Sequence, residues 1–258
     1  MKKIFDRAQA QKTYELYDAI TPSKYELPEE RSVEARAKNL RKALAKGSPG
    51  RGKHCSKVQR CGLLSCPICR LIFATETLEK NRERVTLHGD VSEWQACTFV
   101  PEFGKTKIGA LPGGELRAFK DRLRKALREV DPAIAAILSV DVSCERHEGE
   151  KYWQWHVHGL IRLPHPDIAK ELCRHFRWSR RARHRECYRP TEINSIFELG
   201  GWLNYMMKPE FKSYVHPTSG EKRRSERQML TSDEVKLANV LKKYKVPQRL
   251  FTVGMSKR

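Results

Sequence analysis

Two neighbouring segments decide the fold of this 258-residue chain: Ile137-Leu138-Ser139-Val140-Asp141-Val142-Ser143-Cys144-Glu145 and Trp153-Gln154-Trp155-His156-Val157-His158-Gly159-Leu160-Ile161-Arg162-Leu163. In both segments apolar and polar residues alternate, which is the pattern of a β-strand with one buried face. The link between them contains Gly149, and a short link with a glycine favours a hairpin turn. The two segments therefore predict an antiparallel strand pair at the centre of the fold.

The alternation also places two histidines on one face of this pair. His156 and His158 point to the same side, whereas the residues between and beside them point into the core. The polar face of the partner strand carries Ser139, Asp141, Ser143 and Glu145. With a turn near Gly149, we expect Glu145 to lie close to the histidines across the ladder. Two imidazoles and a carboxylate can hold a divalent ion that polarises a phosphate oxygen; two exposed histidines on a polar sheet face are the alternative.

The rest of the chain alternates between further strand and helix patterns. The strand candidates are residues 94–100 and 192–196. The helix candidates are residues 32–45, 71–85, 113–130, 166–176, a segment that ends at Lys208, and 232–244. Because the middle strands form a hairpin, the pattern predicts an α+β fold with a central antiparallel sheet and flanking helices. The four cysteines between residues 55 and 69 add the prediction of a small zinc-binding module.

Composition divides the chain into four consecutive parts. Residues 1–52 form a basic, helical N-terminal region that ends in the linker Gly47-Ser48-Pro49-Gly50-Arg51-Gly52. Residues 53–90 hold a cysteine cluster and a connecting helix, residues 91–212 the core domain, and residues 213–258 a basic extension.

The net charge of +20, from 51 Lys and Arg against 31 Asp and Glu, predicts affinity for a polyanion such as nucleic acid. No apolar run approaches the roughly 20 residues of a membrane helix. No apolar signal region follows the N-terminal lysines, which argues against a secreted protein. We therefore expect a cytoplasmic protein without a membrane partner.

The basic residues are clustered, which distinguishes them from an evenly charged surface. Residues 31–60 contain ten Lys or Arg and one acid, and residues 174–189 contain seven Arg and one acid. Basic residues interleaved with aromatic ones suit single-stranded nucleic acid, through phosphate contacts and base stacking. The predicted DNA-binding residues are Arg174, Arg177, Trp178, Arg180, Arg181 and Arg183.

Four of the eight cysteines lie within fifteen residues: Cys55, Cys61, Cys66 and Cys69. Cys66-Pro67-Ile68-Cys69 has the spacing of a zinc knuckle, and the other two thiolates can complete a tetrahedral Zn²⁺ site. His54 is an alternative to Cys55. The other four cysteines are scattered, as expected for ordinary thiols in a reducing compartment.

The segment that ends at Lys208 carries the pattern Tyr205-Met206-Met207-Lys208. At helical spacing Tyr205 and Lys208 share a face with Glu198, away from an apolar stripe of Leu199, Trp202, Leu203 and Met206. A tyrosine beside a cation can act as a nucleophile, because the cation favours the phenolate. A half-exposed surface tyrosine beside a lysine is the alternative interpretation.

The His-x-His strand followed by a Tyr-x-x-Lys helix resembles the HUH endonucleases, a superfamily of rolling-circle replication initiators, relaxases and single-tyrosine transposases. The segment from Ala96 to Pro101 is similar to the first of the three family motifs. The resemblance covers residues 94–209. It implies an α+β nuclease core in which two histidines and a further ligand bind Mg²⁺ or Mn²⁺ and the tyrosine attacks a phosphate of single-stranded DNA.

By this resemblance His156 and His158 are the metal pair, Tyr205 is the nucleophile and Lys208 is the helper lysine. The stretch Cys144-Glu145-Arg146-His147-Glu148-Gly149 resembles the one that supplies the acidic ligand, which indicates Glu145, with Asp141 as the second choice. The implied partners are single-stranded DNA at a hairpin origin or an element end, and a host helicase.

One departure concerns the end of the reaction. Gly201 and Asn204 stand where many plasmid initiators carry a further tyrosine and lysine, so Tyr205 is alone on its helix. Water activated by Glu198 is then a route to termination. Beside a replication initiator, the sequence leaves open a transposase with the same chemistry and a non-catalytic, zinc-dependent DNA-binding regulator.

Overall fold

The computed structural model describes residues 30–47, 61–108, 115–147, 149–177, 190–196, 198–208, 211–216 and 225–255. The predictions for His54, Cys55, Trp178, Arg180, Arg181 and Arg183 lie outside these residues. Over the described ranges, no helix combines the length and the apolar character needed to cross a membrane.

The described residues form α-helices and β-strands in mixed order. The helices are α1 (Glu30–Gly47), α2 (Pro67–Leu87), α3 (Glu115–Val130), α4 (Asp167–His175), α5 (Leu199–Met206) and α6 (Thr231–Leu241). The strands are β1 (Trp94–Phe99), β2 (Lys105–Lys107), β3 (Ala135–His147), β4 (Glu150–Arg162), β5 (Thr191–Ser195), β6 (Lys212–Val215), β7 (Ser225–Gln228) and β8 (Leu250–Val253). The predicted α+β class is confirmed.

The chain divides into two compact units, each assembled from separate stretches. Of the described residues, those within 30–84, 198–208 and 231–248 form the helical unit, and those within 85–196, 211–230 and 249–255 form the sheet unit. These units differ from the four consecutive parts read from composition. Composition follows position along the chain, whereas the units are defined by which stretches pack together.

The sheet is built around the β3–β4 hairpin, whose strands have thirteen residues each. The strand order is β5-β1-β4-β3-β6-β7, with β2 also paired to β4 and β8 also paired to β3. All strand pairs are antiparallel except β3 with β6, so the sheet is mixed. Two short strands share one edge of β3: β8 pairs with residues 136–139 and β6 with residues 144–146.

One face of the sheet packs against α3 and α4. Phe119 of α3 lies 6.1 Å from Trp155 between ring centroids, and Phe176 after α4 lies 4.9 Å from Phe99. Cys97 points to this face and is fully buried, and burial raises the pKa of its thiol. The predicted apolar side of the hairpin therefore forms the core of the sheet unit.

The core of the helical unit joins α1, α2 and the segment after α6. Its buried apolar residues are Val33, Ala37, Ile68, Cys69, Ile72 and Val246. A buried ion pair between Arg36 of α1 and Glu234 of α6 adds a polar connection. Residues 61–64 are held against the segment after α6 by backbone hydrogen bonds, including Leu64 N to Tyr244 O at 2.9 Å.

Candidate metal centres

The polar face of the hairpin brings Asp141, His156 and His158 together. Asp141 of β3 pairs directly with His156 of β4, and one donor atom from each of the three residues lies within 4.8 Å of the other two. All three are buried, with relative exposures of 2%, 5% and 4%. Burial without a charge to balance the carboxylate is costly, so this cluster requires a compensating partner.

The two imidazole rings are oriented by oxygen atoms of the protein. Nδ1 of His156 lies 3.2 Å from the carbonyl oxygen of Gln154, and Nδ1 of His158 lies 3.0 Å from Oγ1 of Thr98 on β1. Since a carbonyl oxygen only accepts, Nδ1 of His156 is the donor in this contact, and Nε2 is the nitrogen available to a metal ion. Such contacts hold the ring nitrogen that binds a metal in the correct tautomer.

The carboxylate of Asp141 is fixed from the other side. Its Oδ1 accepts a hydrogen bond of 2.9 Å from the backbone N–H of Val142, which lies in the stretch of β3 between its pairings with β8 and β6. Its Oδ2 lies 3.8 Å from Nε2 of His156. The Val142 N–H, which pairs with neither β8 nor β6, thus holds Oδ1 and leaves Oδ2 on the side of the histidines.

Arg249, immediately before β8, contributes a buried positive charge. Its side chain is fully buried, and burial lowers the pKa of the guanidinium, while the charge of Asp141 acts in the opposite direction. Arg249 therefore balances part of the charge of the carboxylate within the sheet unit.

The donor set fits a single divalent ion. Bonds from such ions to nitrogen and oxygen are about 2.0–2.2 Å long, so donors this close need only small side-chain shifts to share one ion. Two imidazoles and one carboxylate leave coordination positions open, as a Lewis-acid site requires. We conclude that the residues are suited to hold a metal ion that binds a further oxygen ligand.

Glu145 is not part of this group, which corrects the prediction of the third ligand. It pairs with Tyr152 rather than with a histidine of the predicted pair, and its Oε2 lies 2.7 Å from Nε2 of the buried His216. Its other oxygen accepts a hydrogen bond from Ser143. The carboxylate near the histidines is Asp141, the second choice from the sequence.

The predicted nucleophile lies on α5, in the helical unit. Tyr205 is partly exposed, with its ring 4.9 Å from that of Trp202, and Nζ of Lys208 lies 5.1 Å from the centroid of the Tyr205 ring. The carbonyl of Lys208 accepts a 2.9 Å hydrogen bond from Arg70 of α2. The sequence prediction that Tyr205 and Lys208 are neighbours agrees with this geometry.

The buried face of α5 differs in part from the predicted stripe. Its buried residues are Gly201, Leu203, Asn204 and Met206, while Trp202 and Leu199 are partly exposed. Glu198 precedes the helix and makes no capping hydrogen bond with its side chain. Leu203 and Met206 of the predicted stripe are therefore buried, whereas Gly201 and Asn204 are buried in place of Leu199 and Trp202.

Three of the four predicted zinc ligands are described, and they cluster. Sγ of Cys61 lies 3.7 Å from Sγ of Cys69, and the three thiols of Cys61, Cys66 and Cys69 lie within 4.8 Å of one another. Thiolates bound to Zn²⁺ at about 2.3 Å in a tetrahedron are about 3.8 Å apart. The backbone N–H of Gly62 also donates to Cys69 Sγ at 3.2 Å, so the triad has the geometry of a zinc site.

Residues 174–177 are the described part of the arginine-rich segment, and they include both surface and core residues. Arg174 and Arg177 are exposed, as expected for residues that contact phosphates. Phe176 between them is buried against Phe99, so it belongs to the core and is not available to stack on a base. The helical period of α4 explains this, because it turns Phe176 inward and its neighbours outward.

The comparisons with known proteins give no relative. No protein-family model matches this chain, and no curated protein or solved structure matches it. The fold and the two donor groups are therefore the observations on which a function is proposed.

Sequence reasoning missed the residues that support the metal group. Thr98 lies across from His158 in the β1–β4 ladder, and Arg249 is brought in by β8. Thr98 carries a partial signal, since a polar residue near the buried end of a strand predicts a position on the polar face, but Gln95 of the same strand lies on the opposite face. Arg249 carries none, because its position depends on a four-residue strand at the far end of the chain.

Proposed function

We propose that this protein nicks and rejoins single-stranded DNA, using a divalent ion and a tyrosine nucleophile and passing through a 5′-phosphotyrosine intermediate. The observation that carries the proposal is the buried group of Asp141, His156 and His158 on adjacent strands of an α+β sheet. The resemblance to the HUH endonucleases supports it, because that family places a His-x-His metal pair on a strand and its tyrosine on a later helix. The most specific form is a rolling-circle replication initiator.

Asp141, His156 and His158 would hold Mg²⁺ or Mn²⁺, which supplies positive charge that polarises the scissile phosphate. Asp141 contributes the anionic ligand, and Gln154 and Thr98 keep the two rings oriented. Arg249 offsets part of the charge of Asp141 before an ion binds, which limits the cost of burying the carboxylate.

The nucleophile in this proposal is Oη of Tyr205. It forms a bond to phosphorus while the bond from phosphorus to the 3′ oxygen breaks, so one strand leaves with a 3′-OH and the other stays bound through its 5′ phosphate. The phenolic proton leaves Tyr205, and the departing oxygen takes up a proton. Lys208 favours the phenolate through its positive charge. Because one phosphodiester replaces another, an incoming 3′-OH can reverse the step.

The zinc site and the exposed arginines have separate roles in this proposal, one in folding and one in DNA binding. A Zn²⁺ ion on Cys61, Cys66, Cys69 and either Cys55 or His54 would stabilise the helical unit. Arg174 and Arg177, with the basic residues that follow them, would contact the phosphates of single-stranded DNA at a hairpin origin or an element end. A host helicase is the expected protein partner, and the cytoplasm the expected compartment.

Two other functions are compatible with the same residues. A transposase would use the same residues, and the DNA that flanks the gene separates it from a replication initiator. A zinc-dependent DNA-binding regulator is favoured by the Cys triad and the exposed arginines, neither of which requires cleavage. A regulator would bind DNA without breaking it.

Cleavage of a labelled pool of single-stranded oligonucleotides, followed on denaturing gels with Mn²⁺ or with EDTA, tests the proposal. We expect Mn²⁺-dependent cleavage by the wild-type protein and a loss of about 100-fold or more in His156→Ala and His158→Ala, since several kcal/mol of transition-state stabilisation depends on the ion. His165→Ala is the matched control, because this histidine is exposed in the turn after β4. Equal cleavage by all three variants, or none by the wild type, contradicts the proposal.

A further inference from the structure

Ser139 is a buried hydroxyl beside the metal group. It lies on β3 directly across from His158, and it is on the same face as Asp141, two residues further along the strand. Its relative exposure is 0%. Side chains that face each other in an antiparallel pair have their Cβ atoms about 4.5–5.5 Å apart, so the hydroxyl lies next to His158 on the buried side of the metal group.

The hydroxyl has no hydrogen-bond partner among the residues that the structure describes. This distinguishes it from the other hydroxyls on the same face. Ser143 donates to Glu145, and Thr98 contacts His158. A buried polar group without a partner destabilises a folded protein, and an alanine at this position would avoid that cost. The geometry therefore indicates a partner other than the described residues of the chain.

We propose that Oγ of Ser139 donates a hydrogen bond to an oxygen ligand of the ion held by Asp141, His156 and His158. In the protein without DNA this ligand is water. The inference rests on the proposed function for the presence of the ion, and it adds a residue that neither the His-x-His pattern nor the Asp141 carboxylate identifies. Ser139 is a positioning residue, because it acts on the ion through the ligand.

The role predicts two effects of Ser139→Ala with opposite signs. Loss of an outer partner of a metal site lowers metal affinity by about 10–100-fold. Loss of an unpaired buried hydroxyl stabilises the protein without the ion, which corresponds to a rise in Tm of about 2–4 °C. A hydroxyl with a purely structural role would not give this combination.

Ser143→Ala is the matched control. Ser143 lies on the same strand and the same face, is equally buried, and already has a partner in Glu145. Its removal should lower Tm and leave the affinity for Mn²⁺ within about twofold, since it has no part in the metal group. Ser139→Cys keeps the shape of the side chain but replaces the hydroxyl with a larger atom and a weaker donor, and it should also bind Mn²⁺ less tightly than the wild type.

The experiment measures the Kd for Mn²⁺ by the electron paramagnetic resonance signal of the free ion, and the Tm without added Mn²⁺, on the full-length, zinc-loaded protein and its variants. Weaker Mn²⁺ binding with a raised Tm in Ser139→Ala is the expected result. Wild-type affinity in Ser139→Ala overturns the inference, and so does a Tm that falls as it does in Ser143→Ala. If His156→Ala also binds Mn²⁺ like the wild type, the metal group fails and the proposed function falls with it. If only Ser139→Ala does, the inference about the hydroxyl fails alone.

Discussion

At the scale of single residues, the metal group depends on the register of one hairpin. β3 ends at His147 and β4 begins at Glu150, so each pair in the ladder is fixed by the position of this turn. Asp141 then faces His156, and Glu145 faces Tyr152. Alternation in the sequence identifies the polar face but does not determine the register, because every second residue satisfies the same pattern. This is why the face was predictable and the choice between two carboxylates was not.

Replacing each of the two carboxylates by its amide, one at a time, tests this register. Asp141→Asn should weaken Mn²⁺ binding by more than about 100-fold, beyond the range for outer partners, because it removes an anionic ligand. Glu145→Gln should leave Mn²⁺ affinity unchanged and lower the free energy of unfolding by about 1.5–3 kcal/mol, because it weakens a buried hydrogen bond to His216. Mn²⁺ titration and urea denaturation measure the two effects. A larger loss of Mn²⁺ affinity in Glu145→Gln than in Asp141→Asn would show that Glu145 is the ligand.

At the scale of elements, long segments were predictable and short ones were not. The amphipathic pattern of residues 113–130 predicts α3, which begins at Glu115 and ends at Val130. The strands β2, β6, β7 and β8 have three or four residues each and were not predicted. Such short strands carry too few residues for a periodic pattern. β2, β6 and β8 form because the long edges of β3 and β4 offer hydrogen-bonding groups, and β7 pairs in turn with β6.

The Cys triad lies at the start of α2, with Cys61 and Cys66 before the helix and Cys69 in its first turn, so its removal should affect the helical unit first. Cys66→Ser and Cys69→Ser should lose bound zinc, and because structural Zn²⁺ contributes on the order of 10 kcal/mol to the folding of small modules, both variants should be poorly soluble. Cys173→Ser is the control, since Cys173 is exposed on α4 in the sheet unit. Elemental analysis of purified protein measures the zinc. Full solubility without zinc in the wild type would rule out this site.

At the scale of the whole molecule, the dominant property is the net charge of +20. Its effect on partners was predictable from composition, because binding to phosphates depends on charge rather than on fold. The division into two interleaved units was not predictable, since it requires stretches 150 or more residues apart, such as α1 and α6, to pack together. Contacts at that separation leave no local signal in the sequence.

Binding to single-stranded DNA should weaken steeply as the salt concentration rises. Each phosphate contact adds about 0.7 to the slope of log K against log salt for single strands, so Arg174→Ala with Arg177→Ala should flatten the slope by about 1.4. Replacing Arg180, Arg181 and Arg183 with Ala should flatten it by about 2. Fluorescence anisotropy with a labelled oligonucleotide measures this. An unchanged slope in both variants would mean that the arginine-rich segment does not contact DNA.

The proposed function requires that Tyr205 becomes covalently bound to DNA. The most direct measurement incubates the protein with single-stranded oligonucleotides and Mn²⁺ and then locates the attached nucleotide by mass spectrometry of the digested protein. Tyr205→Phe removes only the phenolic oxygen and leaves the buried residues Leu203 and Met206 in place, so it should fold and bind DNA normally. We expect an adduct on Tyr205 in the wild type and none in Tyr205→Phe. An adduct that persists in Tyr205→Phe, for example on Tyr214, would contradict this expectation.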